Sequence, residues 1–267
     1  MTAPPDAQPS AGRTAGNRGM IGRRLILAIQ FMTRLPTPQV RDFDPGDLTL
    51  SARWHPLVGM LVGAAVLLPL WALHARPLLA AMLALLAWVW ITGALHLDGL
   101  ADVADALGAA HRRPERFLEV LKDPHLGVFG TVTLVVQLLL KFALLHELAR
   151  SPWLPAIVLV PAWARWGTLV WSRRLPPLQQ AGMAERFAWK LGPVAILAWI
   201  AVLVPLSLWL APPLLLALLL VPLITFYWRR RLGGISGDCL GASIEATESL
   251  LLLALALLPA GWFPPLT

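Results

Sequence analysis

Charge is scarce in this chain. Only 14% of its 267 residues are Asp, Glu, Lys or Arg, against roughly 25% in an ordinary soluble domain, too few to cover a body of this size in water. Cysteine is scarcer still. Cys239 is alone, which excludes an intramolecular disulfide and any zinc or iron–sulfur centre built on several thiolates; it reads as a small packed residue. No basic stripe interleaved with aromatics occurs, so the excess of 22 Lys and Arg over 15 Asp and Glu does not point to nucleic acid. No two aspartates are adjacent, which disfavours a prenyltransferase. The first 20 residues lack the apolar core of about 7–15 residues that a cleavable signal needs. They are expected to form a disordered tail before a single polytopic domain over residues 21–267. No internal repeat is visible, whereas transporters often carry one.

What is present is apolar. The AVILMFWYC set makes up 57% of the chain, and mean hydropathy is +0.67. These residues arrive in long blocks, such as 214–220, and not as periodic stripes. A disordered or collagenous chain would be far less apolar. A helix needs about 20 mostly apolar residues to cross a core of about 30 Å. Seven stretches qualify, near 57–75, 78–97, 127–147, 153–172, 191–210, 212–228 and 247–263, with six to eight the range. Pro212-Pro213 allows the fifth and sixth to be one kinked or re-entrant element. Residues 25–35 are apolar but short and suit an interfacial or partly buried helix. The expected fold is therefore an all-α membrane bundle.

Charge bias tests this count. With seven spans, 18 of the 22 basic residues fall on the side of the N-terminus, only Arg76 and Arg150 fall opposite, and Lys141 and Arg165 lie inside spans. That asymmetry marks the N-terminal side as cytoplasmic in a bacterial inner membrane.

Polar residues cluster in a few islands. Thr92-Gly93-Ala94-Leu95-His96-Leu97-Asp98-Gly99-Leu100-Ala101-Asp102 continues to Asp105, so three carboxylates recur at i, i+4 and i+7. At about 100° per residue they share one helical face and repel one another. A divalent cation would resolve that repulsion, and oxygen-only ligands suit Mg²⁺ or Mn²⁺ better than Zn²⁺. A solvated amphipathic helix is the alternative. The second island, Gly233 to Glu245, holds Gly234, Gly237 and Gly241 around Asp238. Its glycines would let backbone approach a phosphate, or it is simply a helix-initiating turn. In the third, Asp123-Pro124-His125-Leu126-Gly127…Gly130, an ordinary turn and close helix packing account for the residues equally well. Lys141 and Arg165 are functional candidates because a charge in hydrocarbon is costly unless paired. Arg165 either snorkels or meets a phosphate or a carboxylate such as one of the three aspartates. His55, between Trp54 and Pro56, reads as interfacial.

Together, Phe31-Met32-Thr33-Arg34-Leu35-Pro36-Thr37-Pro38, the Thr92–Asp105 island, Asp123…Gly127…Gly130, Lys141, Pro161…Arg165 and Ser236-Gly237-Asp238…Gly241-Ala242 with Glu245 resemble the cobalamin synthase family. Its members are adenosylcobinamide-GDP ribazoletransferases. The resemblance runs over about residues 25–255. Ser236 stands where the family usually has Thr, and residues 176–187 match poorly. The resemblance implies transfer of the adenosylcobinamide phosphate from its GDP-activated form to α-ribazole or its 5′-phosphate, with GMP leaving and Mg²⁺ required, Mn²⁺ being an alternative. The expected site is then Asp98, Asp102, Asp105 and Asp238 on the metal, with Arg165 beside them in catalysis. Lys141, Gly237, Gly241 and Glu245 are expected at the substrate's phosphates. Expected partners are the two substrates and the lipid bilayer, with self-association or contact with other cobalamin-assembly enzymes left open.

Two other functions use similar residues. A CDP-alcohol-type phosphotransferase has an acidic helix motif, but Asp102 stands where that motif wants Arg. A cation-coupled transporter could use the same carboxylates as an ion site.

Overall fold

In the computed structural model, residues 11–40, 45–110, 114–178 and 192–258 are described. The regular elements there are helices, with one isolated β-bridge. Helix α1 spans Ala11–Met32, taking in residues 11–20 of the stretch expected to be a tail. A short α2, Pro45–Ser51, and a 3₁₀ turn, Ala52–Trp54, lead into α3, His55–Ala72. Then follow α4, Pro77–Thr92, α5, Leu95–Ala110, α6, Pro114–Val120, and α7, Val128–Leu148. A 3₁₀ turn, Leu154–Val158, opens α8, Leu159–Arg174. Helix α9, Pro193–Leu210, joins α10, Ala217–Arg231, through the 3₁₀ turn Pro212–Leu216. Helix α11, Gly237–Leu257, completes the described chain.

Six of these stretches are long and apolar enough to cross a membrane, and seven if α4 and α5 count as one broken span. The Pro212-Pro213 break leaves two separate stretches, Pro193–Leu210 and Pro212–Arg231. Two expectations need correction. The segment expected over 78–97 stops at Thr92, because Gly93 and Ala94 both take the left-handed conformation (φ 60° and 57°). The chain turns by 85° there. A left-handed pair cannot continue an α-helix, so the aspartates ride on a separate helix, α5. The last segment begins at Gly237, ten residues before the 247 expected, because Ser236 caps it: its hydroxyl oxygen accepts the Cys239 N–H at 3.1 Å. The second island is therefore mostly helix, as the helix-initiating reading had it.

Helices α8 and α11 form the buried middle. Helix α8 carries Arg165 and three tryptophans, and each indole N–H is satisfied by a neighbour. Trp163 donates to Ser207 Oγ (2.9 Å) and Trp166 to the Ile196 carbonyl (3.2 Å), both on α9. Trp171 donates to the Val221 carbonyl of α10 at 3.1 Å. Buried indoles need such partners, and these three fix α8 against two neighbours. Trp90 on α4, Val128 and Leu139 on α7 and Trp209 on α9 are instead 62–81% exposed. An apolar perimeter of this kind is what a lipid environment requires. This is a multi-pass membrane protein by its helix composition.

Candidate active site

The ends of several helices meet on one face. Asp105 of α5 reaches the start of α7, accepting the Gly127 and Gly130 N–H groups at 2.8 and 2.9 Å. His55, first in α3, meets Thr168 late in α8. Arg229 near the end of α10 donates to the Arg174 carbonyl at 3.0 Å, and Pro177 bridges to Ile235 just before α11, the Ile235 N–H donating to the Pro176 carbonyl at 2.9 Å.

At this face α5 lies backbone to backbone on α11. A Cβ on Gly99 would stand 2.9 Å from the Asp238 Cα, and one on Gly241 would stand 3.3 Å from the His96 Cα. That approach leaves room only for glycine at Gly99, and at Gly241 a side chain would be tightly crowded. It brings Asp98 and Asp102 of α5 together with Asp238 in the first turn of α11; Asp102 lies in the electrostatic fields of Asp98, Asp238 and Asp105. Among the described residues, none of Asp98, Asp102 and Asp238 has an ion-pair partner. Nor do any three His, Cys, Asp or Glu side chains stand ready to enclose an ion. Asp105 is occupied as a cap for α7, two backbone N–H groups filling its carboxylate. The donor set is thus all oxygen and uncompensated, which fits a hard divalent cation once the side chains of Asp98, Asp102 and Asp238 converge.

Beneath these carboxylates is a cavity of about 210 Å³. Asp98, Gly237 and Asp238 line it together with Phe31, His55 and His96. Gly241 also borders it, but from within a helix, so the glycine serves the packing of α11 on α5.

Lys141 and Glu245, expected at the substrate's phosphates, do not line this cavity and are paired with each other in the structure. Lys141 of α7 reaches Glu245 at 2.8 Å and Glu248 at 2.6 Å, and Arg165 reaches Glu248 at 2.8 Å. Gln137 donates to Glu245 at 2.7 Å and to Ser249 at 2.9 Å. Lys141 also sits 4.2 Å from the centroid of a Trp88 ring. All four charged residues are at most 4% exposed, and two cations meet two anions, so the network is neutral as a whole. Arg165 finds a carboxylate, but it is Glu248 and not one of the three aspartates. The reason is position: Glu245 and Glu248 lie two to three turns further along α11 than Asp238, roughly 10–15 Å by helical rise, at the depth of α7 and α8 where the two cations sit.

Two residues of these clusters, Glu248 and Gln137, carried no assignment in the sequence. Glu248 follows Glu245 by one turn, and an acidic residue inside an apolar run was the available signal. Gln137 precedes Lys141 by one turn. His55, read as interfacial, is buried at 3% exposure. In the third island, Asp123 and His125 form an exposed turn. The His125 ring and backbone N–H, at 2.7 and 3.0 Å, hold the Asp123 carboxyl below the usual carboxylate range. Arg112 and Arg113, and residues 179–187 of the poorly matching stretch, lie outside the described residues.

Comparison with known proteins gives a consistent result. The family model described as cobalamin-5-phosphate synthase (CobS) matches residues 24–256. The adenosylcobinamide-GDP ribazoletransferase of Laribacter hongkongensis is 57% identical over 239 residues, covering 86% of this chain and 95% of its own. Those of Thiobacillus denitrificans and Novosphingobium aromaticivorans are 49% and 48% identical, covering 86% and 88% of this chain and 94% and 96% of theirs. No solved structure matches.

Proposed function

This chain belongs to the cobalamin-5-phosphate synthase family, and from that premise we propose where and how it performs its reaction. It is an adenosylcobinamide-GDP ribazoletransferase of cobalamin biosynthesis. The reaction centre is the face where α5 crosses α11, and the observation that carries this reading is the backbone contact that sets Asp98 and Asp102 beside the Asp238 turn with no cationic partner among the described residues.

Asp98, Asp102 and Asp238 would hold Mg²⁺ or Mn²⁺, with Asp105 supporting them from its place at the α7 cap. When bound, such an ion neutralises diphosphate oxygens and lowers the barrier to their departure. The rest of the work is positioning. Phosphoryl-type transfer asks little covalent chemistry of a protein and much alignment. The α5–α11 glycine contact fixes Asp98 relative to Asp238. Gly237 lets the start of α11 approach the substrate closely. Lys141 and Arg165 act as positioning residues: by neutralising Glu245 and Glu248 they lock the register of α11 on α7 and α8, and so the place of Asp238.

Orientation follows from charge. The face bearing this site also bears Arg23, Arg24, Arg34, Arg116, Lys122, Arg173, Arg174 and Arg229–Arg231, whereas Arg76 and Arg150 stand at the other end. That distribution supports a cytoplasmic site in a bacterial inner membrane, where GDP-activated substrates are available.

The test is GMP release from adenosylcobinamide-GDP and α-ribazole by detergent-purified protein across a Mg²⁺ titration. Asp98→Asn and Asp102→Asn should each lower turnover about 100-fold or more, since each 1.36 kcal/mol or so of lost stabilisation is tenfold. Asp238→Asn should raise the Mg²⁺ needed for half-maximal rate. Wild-type rates and wild-type metal dependence in all three would overturn the assignment.

A further inference from the structure

A groove runs where α9, the least buried of the spanning stretches, meets the turn into α3. Leu50 and Trp54 form one wall and Val194, Ala198 and Val202 the other, and Arg53 and Gly192 also border it. Val194, Ala198 and Val202 recur every four residues, so they stack along one face of α9 and carry the groove about 12 Å along that helix. Ala198, small between two larger residues, keeps the wall concave. An apolar trough parallel to a spanning helix has the shape and direction of an acyl chain in a bilayer.

One charged side chain stands in this apolar setting. Arg53 engages only its Nε, which donates to the Leu50 carbonyl at 2.9 Å. Among the described residues no carboxylate pairs with Arg53, and its Nη1 and Nη2 make no hydrogen bond. Arg24 is close enough for its field to reach Arg53, and Asp47, 3.1 Å from Arg24, is already engaged there. The free end of the guanidinium therefore offers a fork of donors with the geometry of a phosphate partner. Helix α9 adds to this field, because it starts at Pro193, beside Gly192, with no side chain capping its first N–H groups, which leaves the positive end of the helix at the groove. Trp54 and Trp199 are of the residue type that settles at headgroup depth. The Trp199 indole donates to the Arg53 carbonyl at 2.7 Å and so ties Arg53 to α9.

We propose that this groove binds one anionic phospholipid, its headgroup phosphate meeting Arg53 Nη1 and Nη2 and the start of α9, and an acyl chain lying along Val194, Ala198 and Val202. A free phosphate or a nucleotide would use the cation and leave the trough empty, whereas a neutral lipid would fill the trough and leave the cation unmatched. Only a ligand with both parts answers both features, and basic pockets between membrane helices select lipid headgroups in this way. Trp54 borders the groove while the next residue, His55, lines the cavity beneath the carboxylates, so a lipid seated here braces the turn that opens α3. The site is separate from the proposed metal centre and does not depend on it.

The test is native mass spectrometry of the full-length protein in detergent, stripped of lipid and titrated with phosphatidylglycerol or with phosphatidylcholine of the same acyl chains. The first phosphatidylglycerol adduct should form about tenfold more tightly than the first phosphatidylcholine adduct, the worth of one charge-assisted contact. Arg53→Gln should remove that preference by weakening phosphatidylglycerol about tenfold while leaving phosphatidylcholine within about twofold, and Arg53→Lys should recover part of the loss. Ala198→Trp, which fills the trough, should weaken both lipids. Arg116→Gln removes an equal charge from an exposed position on α6 and should change neither. Equal affinity of the wild type for the two lipids would overturn the proposal. Equal losses of phosphatidylglycerol in Arg53→Gln and Arg116→Gln would overturn it as well, by showing a diffuse surface attraction. Displacement of phosphatidylglycerol by glycerol 1-phosphate or by adenosylcobinamide-GDP would make the groove a site for soluble anions or substrate instead, and a dimer that excludes both lipids would make it an interface between two copies of the chain. If Arg53→Gln fails to fold, the wild-type contrast between the lipids and the Ala198→Trp variant decide the matter.

Discussion

Replacing Glu248 with Gln should be among the most damaging single changes in the protein. The side chain is fully buried and is the shared anion of two cations, Lys141 at 2.6 Å and Arg165 at 2.8 Å. Glu248→Gln keeps the shape and an acceptor oxygen but leaves Lys141 and Arg165 facing Glu245 alone, a net charge of one in the middle of the bundle. Arg165 fares worst, because its Nε and Nη2 already have no partner and its remaining contact is the Pro161 carbonyl at 3.2 Å. Removing one member of a buried ion pair typically costs about 3–5 kcal/mol, which for a chain of this length corresponds to a fall in Tm of about 6–20 °C. The 13 tryptophans make intrinsic fluorescence a direct readout of unfolding in detergent. Arg165→Gln should be equally harmful for the converse reason. The double variant Arg165→Gln/Glu248→Gln restores neutrality, leaves the Lys141–Glu245 pair intact and should recover about 2 kcal/mol or more relative to either single change. It also separates roles: a stable double variant that retains turnover makes Arg165 a neutralising residue, and a stable but inactive one puts Arg165 on the substrate. A Glu248→Gln protein melting within a degree or two of wild type, or a double variant worse than the two singles added, would refute the reasoning.

Asp105 is open to a similar separation of roles. Asp105→Asn keeps a good helix cap and should leave Tm nearly unchanged, whereas Asp105→Ala exposes the start of α7 and should cost about 1–2 kcal/mol; a rate lost in the Asn variant at constant Tm would show that the carboxylate charge itself matters. Gly99→Ala should destabilise by about 1–3 kcal/mol and depress turnover, because the new methyl meets the Asp238 backbone at 2.9 Å and two backbones cannot yield cheaply; wild-type melting and kinetics would remove the α5–α11 contact from the argument. Single cysteines introduced beside Arg230 and Arg76 in a Cys239→Ala background should react oppositely with an impermeant external reagent in intact cells. Labelling near Arg230 and protection near Arg76 would reverse the orientation.

The sequence alone revealed unevenly what the structure contains. Blocks of apolar residues announce spanning helices directly, since lipid leaves a chain few other choices, and the number of spans and the helical face of Asp98, Asp102 and Asp105 followed from spacing. The 85° corner did not. Gly93 hinted at a helix end, but Ala94 in the left-handed region is a tertiary outcome no local preference announces. The buried charges of Lys141 and Arg165 were visible as anomalies, but their partners were not, because Glu248 lies 107 and 83 residues away in sequence and only the packing of three helices makes them neighbours. Glu248 itself went unremarked because hydropathy placed the start of the last span at residue 247, at its edge, while the Ser236 cap starts that helix far earlier. His55 looked interfacial for the same reason: its neighbours Trp54 and Pro56 are typical of a membrane boundary, and Thr168 is 113 residues away.

The neutral network also imposes an order on biogenesis. Lys141 and Arg165 are synthesised first and Glu248 last, so at about 5–20 residues per second the cations wait roughly 4 to 20 s for their carboxylates. Through that interval α7 and α8 stand in the membrane with unmatched charges, each carrying an insertion penalty on the order of 2.5–3.5 kcal/mol. Helix α11 is therefore the clasp of the fold: a nascent chain that stops short of it displays exposed cations to the membrane's proteolytic surveillance, and the same segment that carries Asp238 certifies that the bundle around it is complete.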